Sequence, residues 1–270
     1  MNWMQSLFGV EKPIIGMAHF KPLPGDPNCL YPFDARSSAD LLLEDIISLQ
    51  KGGVDGIMFS NEGSQPWVTN PKPITTTAMA AILGLVLSNI SIPFGVHVIW
   101  DPKATIDLAA AVESNFAWEV FTGVYASDYG LWNTNIGKYI RHQKQLHAEN
   151  IKLLFEIVPE AAVYLSSRSL KDLVRTNMFN SNPDAFCVAG LKPGEAASLD
   201  GILEVKEISS NIPVLASTGV KATNVISQLE IADGAIVGSA FKKNGNLWNL
   251  VDSTRVKKLM DIVKTIRKRI

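Results

Sequence analysis

The chain has 270 residues and a formal net charge of −1; 47% of its residues are apolar and 19% are charged. So small a net charge gives no broad positive field, which argues against nucleic acid or an anionic membrane as a partner. No apolar run approaches the roughly 18–20 residues that cross a bilayer. The first residues lack the features of a signal peptide, and two cysteines are too few for a disulfide framework. We therefore expect a cytoplasmic globular protein.

Strand-like and helix-like segments alternate eight times along the sequence. The predicted strands are 14–18, 56–59, 94–99, 118–121, 152–157, 185–189, 213–216 and 235–237. Between and after them lie helical patterns, the first capped by Ser37 or Ser38 and the third by Asp101 with Pro102 at its first position. Repeated strand–helix units require parallel strands joined by right-handed crossovers. Eight of them predict one (β/α)₈ TIM-barrel domain over residues 1–270.

The connections between these elements differ in length according to their direction. Helix-to-strand connections are short, whereas the strand-to-helix segments 19–36, 60–73 and 122–134 are long. In a barrel, all strand-to-helix loops meet at the C-terminal rim, where active sites lie. The third segment carries Asp128 between Gly123 and Gly130, which predicts a hinged lid that brings Asp128 to the substrate. The sequence thus predicts that one face of the barrel carries the function.

The last two predicted strands end in small residues. The two endings are Ser217-Thr218-Gly219 and Gly238-Ser239-Ala240. Small residues let backbone N–H groups come close to an anion, and the positions match the phosphate site after strands 7 and 8 of (β/α)₈ barrels. We therefore predict that these six residues hold the phosphate of a small phosphorylated substrate.

Two carboxylates lie within predicted strands that are otherwise apolar. Glu119 lies in strand 4 and Glu156 in strand 5. An ionised carboxylate buried there without a partner costs several kcal/mol, so its presence indicates a use. The pair is predicted to perform acid/base chemistry, as in glycosidic-bond cleavage. Two alternatives stay open: a divalent metal held together with histidine, and a structural salt-bridge layer.

Two histidines are placed where they can take part in this chemistry. His19 ends strand 1, and His97 lies in strand 3 on the same face as Ile99 and Asp101. Histidine at a barrel rim serves as acid, base or metal ligand. For His19 a hydrogen-bonded core position is an equal alternative, and Asp101 is better explained as a helix cap.

Further polar residues follow the strand ends. Asn61 and Glu62 follow strand 2, either at the barrel mouth or in a surface turn. Lys192, after strand 6, is predicted to bind phosphate or activate a carbonyl, with an exposed turn as the alternative. Of Lys242 and Lys243 we expect one near the anion and one in solvent. The basic stretch 255–269 has an apolar stripe at helical spacing, which favours an amphipathic terminal helix over the alternative of a polyanion-binding arm.

Six segments in order along nearly the whole chain carry a resemblance to a known family: 22–25, 53–62, 93–102, 121–130, 157–164 and 231–243. On these segments the sequence resembles the BtpA/SgcQ family, and within it the SgcQ-type branch. The family is similar to the ribulose-phosphate-binding barrels, and the resemblance therefore implies the barrel fold and supports the phosphate site. It also implies a tie of part of the family to photosystem I biogenesis, and of the SgcQ-type branch to processing of a phosphorylated sugar, with a nucleosidase-like label.

The chain departs from the broader family pattern at strand ends. His97-Val-Ile-Trp-Asp-Pro102 replaces a pattern of the type Asn-Val-Leu-Arg-Asn-Asp, Trp118-Glu119 replaces an arginine, and Glu156 replaces an aspartate. The chemistry of the photosynthetic branch is therefore not transferred.

The expected function is an enzyme, a hydrolase, lyase or isomerase, that acts on a small phosphorylated sugar or nucleoside-like glycoside. The alternative is a non-catalytic assembly factor. No cofactor motif is identified. We expect a homo-oligomer, since the apolar Trp3, Leu7 and Phe8 either pack on a neighbour or close the lower end of the barrel.

Overall fold

The computed structural model describes residues 2–190 and 194–268. Eight parallel strands close into a barrel in the order β1-β2-β3-β4-β7-β9-β10-β11, with β1 paired to both β2 and β11. This confirms the predicted (β/α)₈ barrel. The strands of the chain are β1 (Ile14–His19), β2 (Gly56–Ser60), β3 (Phe94–His97), β4 (Phe116–Glu119), β5 (Val124–Ser127), β6 (Gly130–Asn133), β7 (Lys152–Val158), β8 (Ala162–Tyr164), β9 (Ala185–Val188), β10 (Val214–Ala216) and β11 (Gly234–Val237).

The helices follow the barrel strands, apart from a short helix that precedes β1. In the described part of the chain, none of them is long and apolar enough to cross a membrane. They are α1 (Trp3–Phe8), α2 (Ala35–Gly52), α3 (Pro73–Val86), α4 (Pro102–Ala111), α5 (Ile136–Gln145), α6 (Leu170–Asn180), α7 (Leu199–Ser209), α8 (Val225–Ile231) and α9 (Ser253–Arg267).

One of the two predicted helix caps is confirmed. Asp101 caps α4 and accepts a hydrogen bond from the backbone N–H of Ala104 at 3.0 Å. The prediction that Ser37 or Ser38 caps α2 is wrong, because both lie inside the helix. Asp34 is the cap, and its carboxylate accepts from the Arg36 N–H at 2.9 Å. A carboxylate caps a helix as well as a hydroxyl does, so the helix begins one turn earlier.

Two barrel strands end or begin two residues away from the sequence prediction, and the other six agree with it to within one residue. β3 ends at His97 rather than at residue 99. The N–H groups of Val98 and Ile99 leave the strand ladder and donate to Thr105 Oγ1 at 2.9 Å and to Asn61 Oδ1 at 2.8 Å. β4 occupies Phe116–Glu119 instead of residues 118–121. A strand thus ends earlier than its apolar sequence predicts where nearby side chains accept the hydrogen bonds of its backbone N–H groups.

The lower end of the barrel interior is apolar and closed. Inward-facing residues there pack together beneath α1, and the Phe8 ring lies 5.7 Å from that of Phe116. Trp3 donates its indole N–H to the Asp184 carbonyl at 2.8 Å. Of the two predicted roles for Trp3, Leu7 and Phe8, the structure shows the closing of the lower end. A homo-oligomer stays a prediction.

The predicted lid, residues 122–134, is a β-hairpin. Strands β5 and β6 pair antiparallel, and β8 adds to β5 to complete a three-stranded sheet beside the barrel mouth. Tyr125 and Trp132 are buried within an aromatic cluster beneath it. Gly123 and Gly130 have positive φ values of 95° and 110°, as tight bends at the hairpin require. The segment is therefore held by a hydrogen-bonded ladder.

Candidate active site

The upper end of the barrel interior is polar. Side chains alternate between the two faces of a strand, so the inward positions above the apolar layer follow from the strand register. Buried polar side chains occupy five of these positions, namely His19, Ser60, His97, Glu156 and Ser217. Four of them lie at or just beyond the C-terminal ends of their strands, and Glu156 lies two residues before the end of β7. This is the rim where (β/α)₈ barrels carry their active sites.

Glu156 is buried and surrounded by hydrogen-bond donors. Its Oε2 accepts from Ser217 Oγ at 2.7 Å and from Trp118 Nε1 at 3.2 Å, and its Oε1 accepts from the Val158 N–H at 3.3 Å. Burial raises the pKa of Glu156 to about 8, although these three donors act in the opposite direction. The group therefore holds its proton over most of the physiological pH range.

Glu119 lies beside His97 rather than beside Glu156. His97 Nε2 is 3.2 Å from Glu119 Oε1, an ion-pair distance whose angle falls short of hydrogen-bond geometry. Burial raises the pKa of Glu119, and His97 partly counters that rise. Glu119 and Glu156 lie on adjacent barrel strands, as predicted, but each has its own partners.

A chain of close polar contacts leads from this pair to the barrel mouth. Ser60 Oγ lies 3.3 Å from His97 Nδ1 and donates to Glu62 Oε1 at 3.4 Å. The buried Glu119 is thereby linked through His97 and Ser60 to Glu62 at the mouth. The Ser60 hydroxyl thereby helps to fix the orientation of the Glu62 carboxyl group.

A narrow cavity at the centre of the rim is lined by carboxylates other than the two predicted ones. It has a volume of about 80 Å³, and its walls include Glu62, Glu160, His19, Trp67 and Trp118. Burial raises the pKa of Glu160 to about 7, and the neighbouring Glu62 adds to that rise. Burial also raises the pKa of Glu62. Two neighbouring carboxyl groups whose pKa values are both raised suit an acid and a base.

The two carboxylates of this cavity were not equally visible in the sequence. Glu62 lies two residues beyond the end of β2, where the sequence leaves a turn and the barrel mouth as equal alternatives; the structure places it at the mouth. Glu160 was missed. It lies two residues beyond the end of β7, and its position after a strand end was the available signal.

His19 faces the same cavity. Within residues 2–190 and 194–268, neither ring nitrogen of His19 has a hydrogen-bond partner, although the residue is only 9% exposed. Burial holds the pKa of His19 well below its usual range, and the charge of Lys242 lowers it further. The ring is therefore neutral and offers one N–H donor and one acceptor. Of the two alternatives for His19, a hydrogen-bonded core position is not what the structure shows.

An open pocket of about 330 Å³ lies beyond the ends of β10 and β11. Lys221, Arg255 and Lys258 contribute positive charge to its lining, which contains no carboxylate in the described part of the chain. The backbone N–H groups of Ser239 and Ala240 have no partner among the described residues. Chemically, the pocket suits an anion.

Gly219 shapes the wall of this pocket. Its φ is +63°, and a Cβ atom at this position would lie only 2.2 Å from the backbone nitrogen of Ala196. Only glycine allows the two loops to approach in this way. Four residues line both the anion pocket and the central cavity: Gly194, Gly219, Val220 and Ser239.

The six predicted phosphate residues divide between the two pockets. Gly219, Ser239 and Ala240 line the anion pocket, whereas Thr218 and Gly238 line the central cavity. The prediction for Ser217 needs correction, because its N–H donates to the Val188 carbonyl at 3.0 Å and its hydroxyl to Glu156. Thr218 Oγ1 donates to the Glu195 carbonyl at 2.8 Å, which braces the preceding loop. Arg255 and Lys258 were missed, since their spacing indicated only an amphipathic helix.

The remaining predicted residues lie apart from the anion pocket. Asn61 is buried, and its amide oxygen holds the Ile99 N–H. Asp128 is exposed in the hairpin turn and lines neither the central cavity nor the anion pocket. Lys192 lies outside the described residues. Lys242 is buried with its Nζ 2.6 Å from Asp45 Oδ2, so the expected cation near the anion is instead part of an internal ion pair; Lys243 is exposed.

The structure does not gather the four predicted metal ligands. Among residues 2–190 and 194–268, no three histidine, cysteine, aspartate or glutamate side chains are grouped so that they could hold a metal ion. In the described part of the chain, nothing therefore supports the alternative that a divalent metal is bound by Glu119, Glu156, His19 and His97.

Solved structures with the same architecture are distant in sequence. A Xanthomonas albilineans dihydropteroate synthase aligns with a TM-score of 0.60 at 11% identity, covering 95% of this chain and 92% of that chain. A phosphoribosyl anthranilate isomerase from Thermus thermophilus gives 0.57 at 12% identity, covering 94% and 99%. At such identities the likeness shows the fold alone.

Sequence relatives cover the whole chain. The sgc region protein SgcQ of Escherichia coli is 47% identical over 272 residues, covering 99% of this chain and 100% of that protein. The photosystem I biogenesis protein BtpA of Synechocystis sp. is 26% identical over 255 residues, covering 92% and 87%. The family model described as the BtpA family matches residues 10–265. The family model matches most of the chain, and one relative is 47% identical over its full length. The chain therefore belongs to the BtpA family.

Proposed function

We propose that the protein is an enzyme that acts on a small phosphorylated sugar or glycoside by acid/base chemistry at the C-terminal rim of the barrel. The observation that supports this proposal is the shared wall between the cationic pocket and the carboxylate-lined cavity. A phosphate held near Arg255 and Lys258 leaves the attached sugar directed towards Glu62 and Glu160. The reaction classes consistent with such a pair are hydrolysis, lysis and isomerisation.

Glu62 and Glu160 divide the acid and base roles in this proposal. Burial raises the pKa of both carboxyl groups, and the charge of Glu62 further disfavours ionisation of Glu160, which therefore suits the role of the acid. His97 and Glu119 act through Ser60 on Glu62 and are positioning residues. Glu156 stays protonated behind the cavity and orients Trp118 and Ser217.

The anion pocket is tested by titration calorimetry with inorganic phosphate and ribose 5-phosphate. The double variant Arg255→Ala/Lys258→Ala should bind both at least about tenfold more weakly, because a lost charge-assisted hydrogen bond costs about 1.5–3 kcal/mol. The matched control Lys257→Ala/Lys264→Ala removes two exposed lysines from the same helix α9 and should bind within about twofold of wild type. Equal affinity for wild type and the first double variant would remove the basis for a phosphorylated substrate.

A non-catalytic assembly role is the second candidate. The observation that favours it is the apolar outer face of the hairpin sheet, where Leu131, Val163 and Leu165 are 56%, 69% and 56% exposed. Glu160→Gln separates the two functions. For the enzyme, it should keep phosphosugar binding and lower turnover of the tightest-binding phosphosugar by about 10²–10⁴-fold. If wild type turns over no bound phosphosugar, and Glu160→Gln leaves binding of a protein partner intact, the assembly role is supported.

A further inference from the structure

A third pocket has His19 in its wall and shares no lining residue with the anion pocket. It has a volume of about 360 Å³ and lies between the loops that follow β1 and β2 and the segment 247–249. This volume is within the range of pockets that hold small molecules. We call it the side pocket. Its lining includes Phe20, Gln65, Trp248 and Asn249.

The side pocket adjoins the central cavity. His19 and Leu247 line both of them. His19 is more than nine-tenths buried, and neither of its ring nitrogens has a partner in the described part of the chain. A buried polar group without a partner is rare in folded proteins and indicates a missing ligand or water. His19 is thus placed to bind a molecule that passes from one pocket into the other.

The lining of the side pocket favours a neutral ring. Trp248 presents an aromatic surface and is 47% exposed. The amide groups of Asn28 and Gln65 supply donors and acceptors, and Asn249, whose Nδ2 donates to the Lys243 carbonyl at 2.9 Å, adds an acceptor. Both lysines of the lining are already engaged: Lys21 Nζ donates to the Trp248 carbonyl at 2.7 Å, and Lys242 Nζ to Asp45 at 2.6 Å. No carboxylate contributes to the described lining, so a cationic group finds no counter-charge there.

We propose that the side pocket is a second substrate subsite, which binds a neutral, hydrogen-bonding ring joined to the phosphorylated portion, and that His19 contacts the linkage between the two portions. The inference rests on the proposed function and specifies its substrate class. The phosphate lies in the anion pocket, the reacting linkage beside Glu62, Glu160 and His19, and the ring against Trp248. The substrate is then a phosphorylated glycoside that carries a second ring, rather than a bare sugar phosphate.

The test compares phosphorylated probes with and without a ring substituent. Titration calorimetry is performed with ribose 5-phosphate and with the nucleoside monophosphates AMP and UMP. In wild type the ring-bearing probes should bind at least tenfold more tightly than ribose 5-phosphate. Trp248→Ala should abolish that gain while leaving ribose 5-phosphate affinity within about twofold, and His19→Gln should reduce the gain. Phe179→Ala removes an aromatic ring that is 94% exposed elsewhere and should leave every affinity unchanged.

The failures of this inference and of the proposed function are distinguishable. If ribose 5-phosphate binds and Arg255→Ala/Lys258→Ala weakens it, but a ring adds no affinity or Trp248→Ala does not reduce the gain, the side-pocket inference is overturned alone. If neither inorganic phosphate nor any phosphorylated probe binds, the proposed function fails and the inference fails with it. Trp248 is half exposed and His19 lies at the barrel mouth, so neither substitution is expected to unfold the protein. Thermal unfolding of both variants checks this.

Discussion

The two ends of the barrel interior are formed by the same eight strands but differ in chemistry. At the lower end, apolar side chains such as Ile15, Phe116 and Leu154 pack beneath α1. At the upper end, the inward positions carry histidine, serine and glutamate. In the chain as described, most buried polar side-chain atoms without a partner lie at or beside this upper end, including those of His19, His97, Trp100, Glu119, Tyr125, Trp132 and Glu160.

This difference indicates how the molecule combines stability with a reactive site. Unpaired buried polar groups and carboxylates with raised pKa values lower the stability of the fold. The apolar lower end and the helix-covered outer faces of the strands offset that loss. Stability is therefore expected to depend on the lower end and ligand binding on the upper end.

The largest expected effect is a loss of stability caused by a substitution at the lower end of the barrel. It tests whether the two ends are independent. Phe116 is fully buried, contacts Phe8 and packs against Gly95. Phe116→Ala should lower the free energy of unfolding by about 4 kcal/mol, because it removes a buried ring and leaves a cavity. Denaturant unfolding measures this loss, and ribose 5-phosphate affinity should stay within about twofold of wild type at a temperature where the variant is folded. A large change in affinity would show that the two ends are not independent.

The next largest loss of stability is expected at Lys242, whose side chain pairs with Asp45 of helix α2. Lys242→Met leaves the buried carboxylate of Asp45 without its counter-charge and should cost about 3 kcal/mol of unfolding free energy. Denaturant unfolding measures the loss, and Asp45→Asn/Lys242→Met should recover part of it. If Lys242→Met instead keeps its stability and loses phosphate affinity, Lys242 belongs to the anion site after all.

The smallest effect is a pH dependence at the upper end. The pKa of Glu156 is about 8 in the folded protein and 4.5 in the ordinary case. Below pH 4.5 both states hold the proton. As pH rises from 4.5 to 8, the unfolded state releases it while the native state keeps it, so stability falls through this window and is constant above it.

Glu156→Gln removes this dependence. The unfolding free energy of the variant relative to wild type should rise by about 1–2 kcal/mol between pH 5 and pH 7. This is less than the whole pKa difference between the folded and unfolded states would give, because local relaxation lets water reach the ionised group. Denaturant unfolding at several pH values measures the difference. A difference that is constant with pH would mean that Glu156 is ionised in the folded protein.

The fold was predictable because each strand–helix unit carries its own local pattern. Apolar runs with caps and glycine stops located all eight barrel strands, and the small residues after β10 and β11 located two walls of the anion pocket. Boundaries failed where a side chain replaced a backbone partner, as Asn61 does for Ile99.

The site was less predictable because it depends on distances between loops. A carboxylate within an apolar strand, such as Glu119 or Glu156, stands out in a sequence; Glu160 in a loop does not. Arg255 and Lys258 have the spacing of any amphipathic helix, and only the closed barrel brings them opposite Ser239. The hairpin sheet formed by the predicted lid depends on pairing between β5 and β8, which are separated along the chain.

The most direct test is a crystal structure determined after soaking in inorganic phosphate. The central claim predicts tetrahedral density in the pocket beyond β10 and β11, in contact with the backbone of Gly219 and Ser239 and with the Arg255 side chain. A fully soaked crystal with phosphate bound elsewhere, or none in that pocket while it is open to solvent, would contradict the claim.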